Sequence, residues 1–538
     1  MPQEDFGSVM VQGGYDYIIV GGGSAGCVLA ARLSETSDVK VLLIEAGGSD
    51  RNLLFHWPAG FAKMTKGIAS WGWSTVPQKH MQDRVLWYTQ ARVIGGGSSI
   101  NAQIYTRGNE LDYDGWAQAG CTGWSYREVL PYFRKAEDND TFDNEFHGRG
   151  GPLGVSQPKA ALPICDAFLK AAEQYGIPLN DDLTKPDPTG MGYYQLTQKN
   201  VRRSSTSVAY LKPALRRSNL KVLLAEMVGR VVIENGRAVG VEVLRAGASE
   251  IIRADREVIV CAGAIGSPRL LMLSGIGAAG HLKQVGIRPL HELPGVGGNL
   301  QDHLDLCALC ECTGDHSYDK YGKRHWALLA GLRYMLTRTG PAASSLFETG
   351  GFWYADKAAP APDVQFHFGL GTGIEAGITR LKNPGITLNA AFMRPRSRGS
   401  VRLASADPAA APLIDPNYFA DSYDREMSIR ALRIARDILR QEALKPFIMA
   451  ERLPGADCSS DGDLFNYVCR MAKTQHHPAG ACAMGRGKMA VVSPELKVHG
   501  LESLRVCDSS VMPYIVSSNT NAAAIMIAEK AADLIRVR

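Results

Sequence analysis

Apolar positions along the chain fall in short dense runs, and the first of them sets the topology. Tyr15–Val20 is an apolar run that ends in glycines, the pattern of a strand buried on both faces. Residues 25–34 follow with helical spacing, and residues 39–45 form a second buried run. Strand, helix and strand in this order predict a βαβ unit. Farther on, residues 228–243 read as a hairpin with Asn235-Gly236 as its turn. Residues 257–262 form another buried run, and LDLCALCECTG a mostly apolar strand. In residues 363–369, Val364, Phe366 and Phe368 alternate with polar residues, which predicts a strand with one face in water. Residues 386–394 and 400–403 read as two more strands joined by the turn SRGS, and residues 523–535 as a closing helix.

The ends of the chain thus read as parallel α/β and the middle as antiparallel. The predicted class is α/β, or α+β overall. A Rossmann-like dinucleotide-binding domain is built from residues 1–160, 200–305 and 485–538. An antiparallel-sheet substrate domain is inserted as residues 161–199 and 306–484. No repeat or low-complexity linker interrupts the chain.

Composition removes several classes. Charged residues are 21% and hydrophobic residues 45%, which excludes a disordered chain. Glycine accounts for 57 of 538 residues, above the usual ~7%, but without the three-residue period of collagen. The net charge is only +5, and the densest basic pairs, Arg202-Arg203 and Arg216-Arg217, extend into no stripe. No nucleic-acid partner is expected. Eleven dispersed cysteines suit free thiols in a reducing, cytoplasmic setting. Cys307, Cys310 and Cys312 lack a second ligand pair, so no metal is expected. The N-terminal sixteen residues have neither a basic nor an apolar leader segment. No stretch is long enough to cross a membrane, while peripheral attachment stays open.

Gly21-Gly22-Gly23-Ser24-Ala25-Gly26 fits G-x-G-x-x-G between the first strand and its helix. Gly21 permits the tight turn, Gly23 lets a pyrophosphate approach, and Gly26 lets the helix pack on the strand. Phosphates would sit on the helix N-terminus. Glu45 ends the next strand, where an acid accepts hydrogen bonds from a ribose diol. The motif leaves NAD and FAD open.

Longer stretches resolve that choice by resemblance. ARVIGGGSSINAQIYTRGNELDYD at 91–114 and GAIGSPRLLMLSGIG at 263–277 resemble the two signatures of the glucose–methanol–choline oxidoreductases. RRSSTSVAYL at 202–211, LPGVGGNLQDH at 293–303, HHPAGACAMG at 476–485 and residues 504–535 extend the likeness over the whole chain. FAKMTKG at 61–67, residues 318–341 and ETGGFWYAD at 348–356 are similar to the bacterial L-sorbose dehydrogenases of that family. The resemblance implies an FAD enzyme that oxidises alcohols.

It also implies site residues. Ala46, Arg92, Val93, Gly96, Ser98, Asn101, Ala262 and Thr520 would join the glycine motif and Glu45 around the cofactor. Trp71 and Val228 would border the adenine, though either also reads as an ordinary core residue. Asp508 would lie near the ribityl chain. Members with covalently attached flavin carry histidine where this chain has Ile100, so the FAD is expected to be non-covalent.

Alcohol oxidation removes a hydroxyl proton and a carbon-bound hydride. The flavin N5 can take the hydride, and a histidine is the natural base near neutral pH. His477, in its His-Pro-x-Gly setting, matches the family's catalytic histidine. His476 is expected in the same substrate pocket and competes as base. Asn519 matches the second position and would hold the substrate oxygen, with Asn521 as its competitor. The expected reaction is a primary alcohol to an aldehyde, on L-sorbose or another sugar or polyol. The external electron acceptor would be a quinone or dye, with oxygen left open. Choline or aryl-alcohol oxidation, a hydroxynitrile lyase on the same fold, an NAD enzyme and a repurposed binding protein are the competing readings.

Overall fold

The computed structural model describes residues 14–245 and 248–536. The reading of the N-terminus therefore falls mostly on residues 1–13, outside the described residues. Two sheets organise the chain. The first begins with β1 (Tyr15–Val20), α1 (Ser24–Leu33) and β2 (Val41–Glu45). β1 pairs in parallel with β2 and with the C-terminal half of Ala248–Val260, while Leu220–Leu224 adds to the far edge of β2. Leu504–Val506, from the end of the chain, pairs in parallel with Ala248–Val260. The N-terminal half of Ala248–Val260 runs antiparallel to Arg237–Arg245, which forms the predicted hairpin with Met227–Glu234. Asn235 and Gly236 both have positive φ, 50° and 77°, as a tight hairpin turn requires.

The closing helix Asn521–Arg536 packs on α1. Arg32 of α1 meets the buried Glu529 carboxylate at 2.8 Å, and the Tyr210 hydroxyl donates to the same carboxylate at 2.8 Å. Both ends of the chain thus build the half that carries the first sheet, which fits the expected mixed α/β class.

The second sheet is antiparallel. Its strand order is Phe347–Trp353, Val364–Gly369, Gly385–Phe392, Leu304–Cys312 and Ile448–Leu453, with Lys473–Thr474 paired to the start of Leu304–Cys312. Val364, Phe366 and Phe368 point to a core shared with the helices Pro163–Tyr175, Ser422–Leu439 and Asp461–Met471. Phe168 stacks on Phe368 with ring centroids 4.5 Å apart. The strand's other face is not in water, contrary to expectation. Gln365 and His367 are buried, because that face closes over an internal cavity. Alternation reports two different surroundings, and a polar cavity serves as well as solvent.

Two further details follow from strand geometry. Cys310 and Cys312 sit in the helix-side core while Cys307 lies in a separate cluster on the opposite face. They cannot converge on one ion, and no metal-ligand cluster occurs among the described residues. The turn SRGS does not join two paired strands. Ser400–Arg402 instead pairs with Leu413–Asp415, while Gly385–Phe392 is already flanked on both sides within the second sheet. A strand with two partners has no free edge for a hairpin mate.

Candidate active site

The carboxyl ends of the first sheet and the polar face of the second line one cavity of about 320 Å³. Its first wall is mostly backbone. Gly21 has φ +104°, and a Cβ there would lie 2.5 Å from the Cys261 carbonyl oxygen. A Cβ on Gly26 would lie 1.9 Å from the Gly21 carbonyl oxygen, so α1 can pack this closely only through glycine. Gly23, Ser24 and Ala25 line the cavity where α1 begins. No side chain caps that helix, so its first N–H groups are free to face an anion. Ser24 Oγ donates to Asn521 Oδ1 at 2.8 Å, which occupies that asparagine.

Glu45 and Ala46 continue the wall. The Glu45 carboxylate accepts from the Gly22 N–H at 2.7 Å and the Gly47 N–H at 2.6 Å. Burial pushes its carboxyl up to about 7, although both N–H groups and Arg92 act to lower it. Trp71 lines the cavity and stacks on Trp73, with centroids 4.9 Å apart. Arg92 is not in the lining; its guanidinium covers the Trp71 ring at 4.6 Å and its Nε donates to the Ala46 carbonyl at 3.2 Å. Val228, Ala262, Gly96, Asn101 and Thr520 all line the cavity, as does Ile100. Asp508 is buried in the lining and accepts from the Gly263 N–H at 2.9 Å and the Ser510 N–H at 2.8 Å.

Two expected residues turn their side chains away. Val93 packs with Phe55, Met64 and Ile100 in a small core. Ser98 Oγ donates to the Gly95 carbonyl at 2.6 Å and accepts from the Thr206 N–H at 3.0 Å. They shape the glycine loop from behind, because a tight loop needs its own polar and apolar anchors.

These residues fit a dinucleotide. A Cβ on Gly23 would meet no protein atom nearer than 3.9 Å, so the open cradle lies on the cavity side. Beside it stand an uncapped helix end, a carboxylate with lone pairs to spare and an aromatic platform.

The opposite wall holds the proton chemistry. His477 Nε2 lies 3.2 Å from Asn519 Nδ2, and His477 Nδ1 lies 3.1 Å from His303 Nδ1. Asn519 Oδ1 accepts from Thr106 Oγ1 and Gln365 Nε2, both at 3.0 Å, so the amide nitrogen faces His477. His303 Nε2 lies 3.1 Å from the Met393 carbonyl, and a carbonyl only accepts. His303 therefore carries its proton on Nε2 and accepts at Nδ1. The hydrogen-bond network then assigns the His477 proton to Nδ1 and leaves the Nε2 lone pair toward Asn519 and the cavity. Asp302 fixes the loop by accepting from the His477 and His303 backbone N–H groups, each at 2.9 Å. Its other oxygen takes the hydroxyls of Tyr88, Tyr418 and Thr474.

Burial holds His477 well below 6.5, and His303, His367, His476 and Lys473 push the same way. Burial is the main cause that brings His476 and His303 down to about 3 and His367 to about 4, with smaller hydrogen-bond and charge effects in both directions. A row of neutral imidazoles at neutral pH results. His476 also lines the cavity, has φ +62°, and neither ring nitrogen has a partner.

Beyond the histidines the wall is amide and acid. Asp305 takes Lys473 Nζ at 2.8 Å, Asn389 Nδ2 at 3.0 Å and Gln475 Nε2 at 2.5 Å. Lys473 also meets Glu375 at 3.1 Å. Burial would lower the Lys473 ammonium, but Asp305 and Glu375 outweigh it and raise it. With their nitrogens on Asp305, Asn389 and Gln475 are left with unpaired buried carbonyl oxygens.

The sequence reading assigned no role to His303, Asp302, Thr106, Gln365 or Lys473. His303 and Asp302 were within reach, since they end the motif LPGVGGNLQDH. Gln365 offered only its place in an alternating strand.

A glycine-rich βαβ wall facing a buried imidazole and amide defines a dinucleotide-dependent oxidoreductase. The family model described as GMC oxidoreductase matches residues 15–305 and 395–528. The chain belongs to the GMC oxidoreductase family. It is 42% identical over 532 residues to the mitochondrial choline dehydrogenase of Homo sapiens, covering 97% of this chain and 90% of that one. It is 39% identical over 530 residues to an alcohol dehydrogenase [acceptor] of Pseudomonas putida, covering 97% and 95%. Among solved structures, a formate oxidase of Aspergillus oryzae RIB40, studied for its FAD modification, has a TM-score of 0.92 at 27% identity and covers 98% of this chain and 99% of its own. Family and neighbours together imply FAD. The likeness to L-sorbose dehydrogenases gains no support from these relatives.

Proposed function

We propose that this protein oxidises a primary alcohol to an aldehyde, with non-covalent FAD and His477 as base. The observation that carries the reading is the His477 Nε2 lone pair, held beside the Asn519 amide at 3.2 Å in the cavity. The cofactor would lie along Gly21, Gly23, Ser24, Glu45, Trp71, Gly96, Asn101 and Asp508. Ile100 offers no nucleophile for a covalent bond. Bound there, FAD supplies the acceptor for the hydride of the alcohol carbon. Asn519 Nδ2 donates to the substrate oxygen and orients it. His477 Nε2 takes the hydroxyl proton, and the His303 contact keeps the Nδ1 proton in place.

We further infer a sugar or polyol as substrate, with L-sorbose as the particular candidate. The unpaired oxygens of Asn389 and Gln475 can each accept from a hydroxyl other than the reacting one, and the two free nitrogens of the neutral His476 ring can accept one hydrogen bond and donate one. A choline-type cation is the second reading. The named relatives favour it, and Asp305 and Glu375 bring two carboxylates to the cavity. Lys473 bonds to both, which leaves less negative charge for a substrate ammonium. A quinone or dye as acceptor, a cytoplasmic setting and the two-domain division at the predicted boundaries belong to the same proposal.

Anaerobic mixing with L-sorbose, other polyols, choline and simple primary alcohols tests it, followed by reoxidation with quinone, dye or oxygen. Fast bleaching of the flavin by a polyol is expected. Bleaching by choline alone would reject the sugar reading, and no bleaching by any alcohol would reject the oxidation.

A further inference from the structure

The helix Arg324–Thr337 turns an apolar surface to solvent. Of its 14 residues only Ala330, Gly331 and Tyr334 are buried. They rest on Trp57, whose ring centroid lies 5.3 Å from that of Tyr334. Trp326, Leu328, Leu329, Leu332, Met335 and Leu336 are exposed, Leu336 at 84%. At 3.6 residues per turn these six span one half of the helix, with the exposed His325 and Arg333 set among them. A wide apolar helix face belongs under cover, and this helix is covered only on the side of Ala330, Gly331 and Tyr334.

Charge indicates what covers the other. Residues 320–347 contain Lys320, Lys323, Arg324, Arg333 and Arg338 and no Asp or Glu. Among the described residues, Lys323, Arg324, Arg333 and Arg338 form no ion pair. Arg380 packs against Gly322 just before the helix, and Lys66 lies within electrostatic reach of Arg380, Lys63 and Glu375. Lys320 stands 5.7 Å from the Trp326 ring. Basic side chains with long apolar stems around Trp and Leu make an interfacial helix.

We propose that this helix docks the protein on an anionic lipid surface. It lies in the plane of the interface, with its outer half among the acyl chains and its cations on headgroup phosphates. No described helix is long and apolar enough to cross a membrane. A second copy fits less well. A two-fold contact would set this face against itself and bring Arg324, Arg333 and Arg338 near their own counterparts with no acid between them. The docked side also backs onto the cavity, because the segment carrying Trp57 continues to Phe61 and Thr65, which line it.

Co-sedimentation of the full-length holoprotein with vesicles tests the proposal. Binding is expected to vesicles of phosphatidylcholine mixed with phosphatidylserine. It should be at least about tenfold weaker on phosphatidylcholine alone and should weaken with salt. The double variant L328E/L336E should partition about a hundredfold more weakly, and Arg333→Gln about fivefold. All three side chains are exposed, so both variants should melt at the wild-type temperature with full flavin content. Three results would overturn the proposal: wild type that ignores the mixed vesicles at low salt, L328E/L336E that binds like wild type, or self-association abolished by L328E/L336E in a protein that ignores vesicles. The last would assign the face to a second copy.

Discussion

The two sheets prepare for their ligands by opposite means. At the carboxyl ends of the parallel sheet the absence of side chains does the work: Gly21 and Gly26 remove Cβ atoms that would strike backbone within 2.5 Å and 1.9 Å. The acids there, Glu45 and Asp508, mainly tie down their own loops through backbone N–H groups. On the antiparallel sheet the side chains do the work. Asp305, His367 and Asn389 stand on three adjacent strands and meet His476 and His477 from a distant loop. A backbone site is written in consecutive residues. A side-chain site is assembled from residues far apart, and one substitution can retune it without touching the fold.

That contrast can be broken most sharply at Gly21. Gly21→Val places a branched side chain at φ +104° against the Cys261 carbonyl, which should cost about 2–5 kcal/mol and abolish FAD retention. The variant should purify colourless, and full flavin content would contradict the backbone account. On the other wall, Asn519→Leu should keep the flavin but lower kcat/KM about 10–100-fold. Loss of cofactor in that variant would blur the division. Smaller still, Gln475→Leu removes one unpaired acceptor. It should lower the preference for a polyol over a simple alcohol of equal length about 3–10-fold, and an unchanged ratio would remove Gln475 from substrate recognition.

A further effect is on pH. His303, His367 and His476 fall from 6.5 in their ordinary state to about 3, 4 and 3 in the fold. The unfolded chain therefore takes up protons first as pH falls. Stability should be full above about pH 6.5 and decline progressively toward pH 4. The kcat/KM profile should stay flat from neutral pH down past 6.5, since His477 is lowered the same way. A rate that drops through pH 6.5–7 would mean an imidazole in ordinary, solvated surroundings.

The same contrast explains what could be read from the sequence. Gly21–Gly26, the hairpin at Asn235-Gly236 and the strand ending in Glu45 were legible because local sterics dictate them. His477 and Asn519 were identified through long family motifs, and the structure brings them within 3.2 Å of each other. His303 was hidden because its importance lies in one contact between Nδ1 atoms, 174 residues apart in the chain. The strand at 363–369 was assigned a wet face because alternation cannot distinguish water from a buried polar cavity. Val93 and Ser98 turn their side chains away from the cavity, because a motif marks a loop and not the direction of each side chain. Arg324–Thr337 lay inside a stretch used only for its family likeness, and its exposed half became visible only once the fold showed which side was covered.

The central claim is that His477 Nε2 is the base. Its most direct test is the anaerobic rate of flavin bleaching by a polyol substrate in His477→Ala that retains its FAD. The account predicts a rate about 10²–10⁴-fold below wild type with the flavin spectrum unaltered. Bleaching at the wild-type rate would contradict it and pass the role to His476.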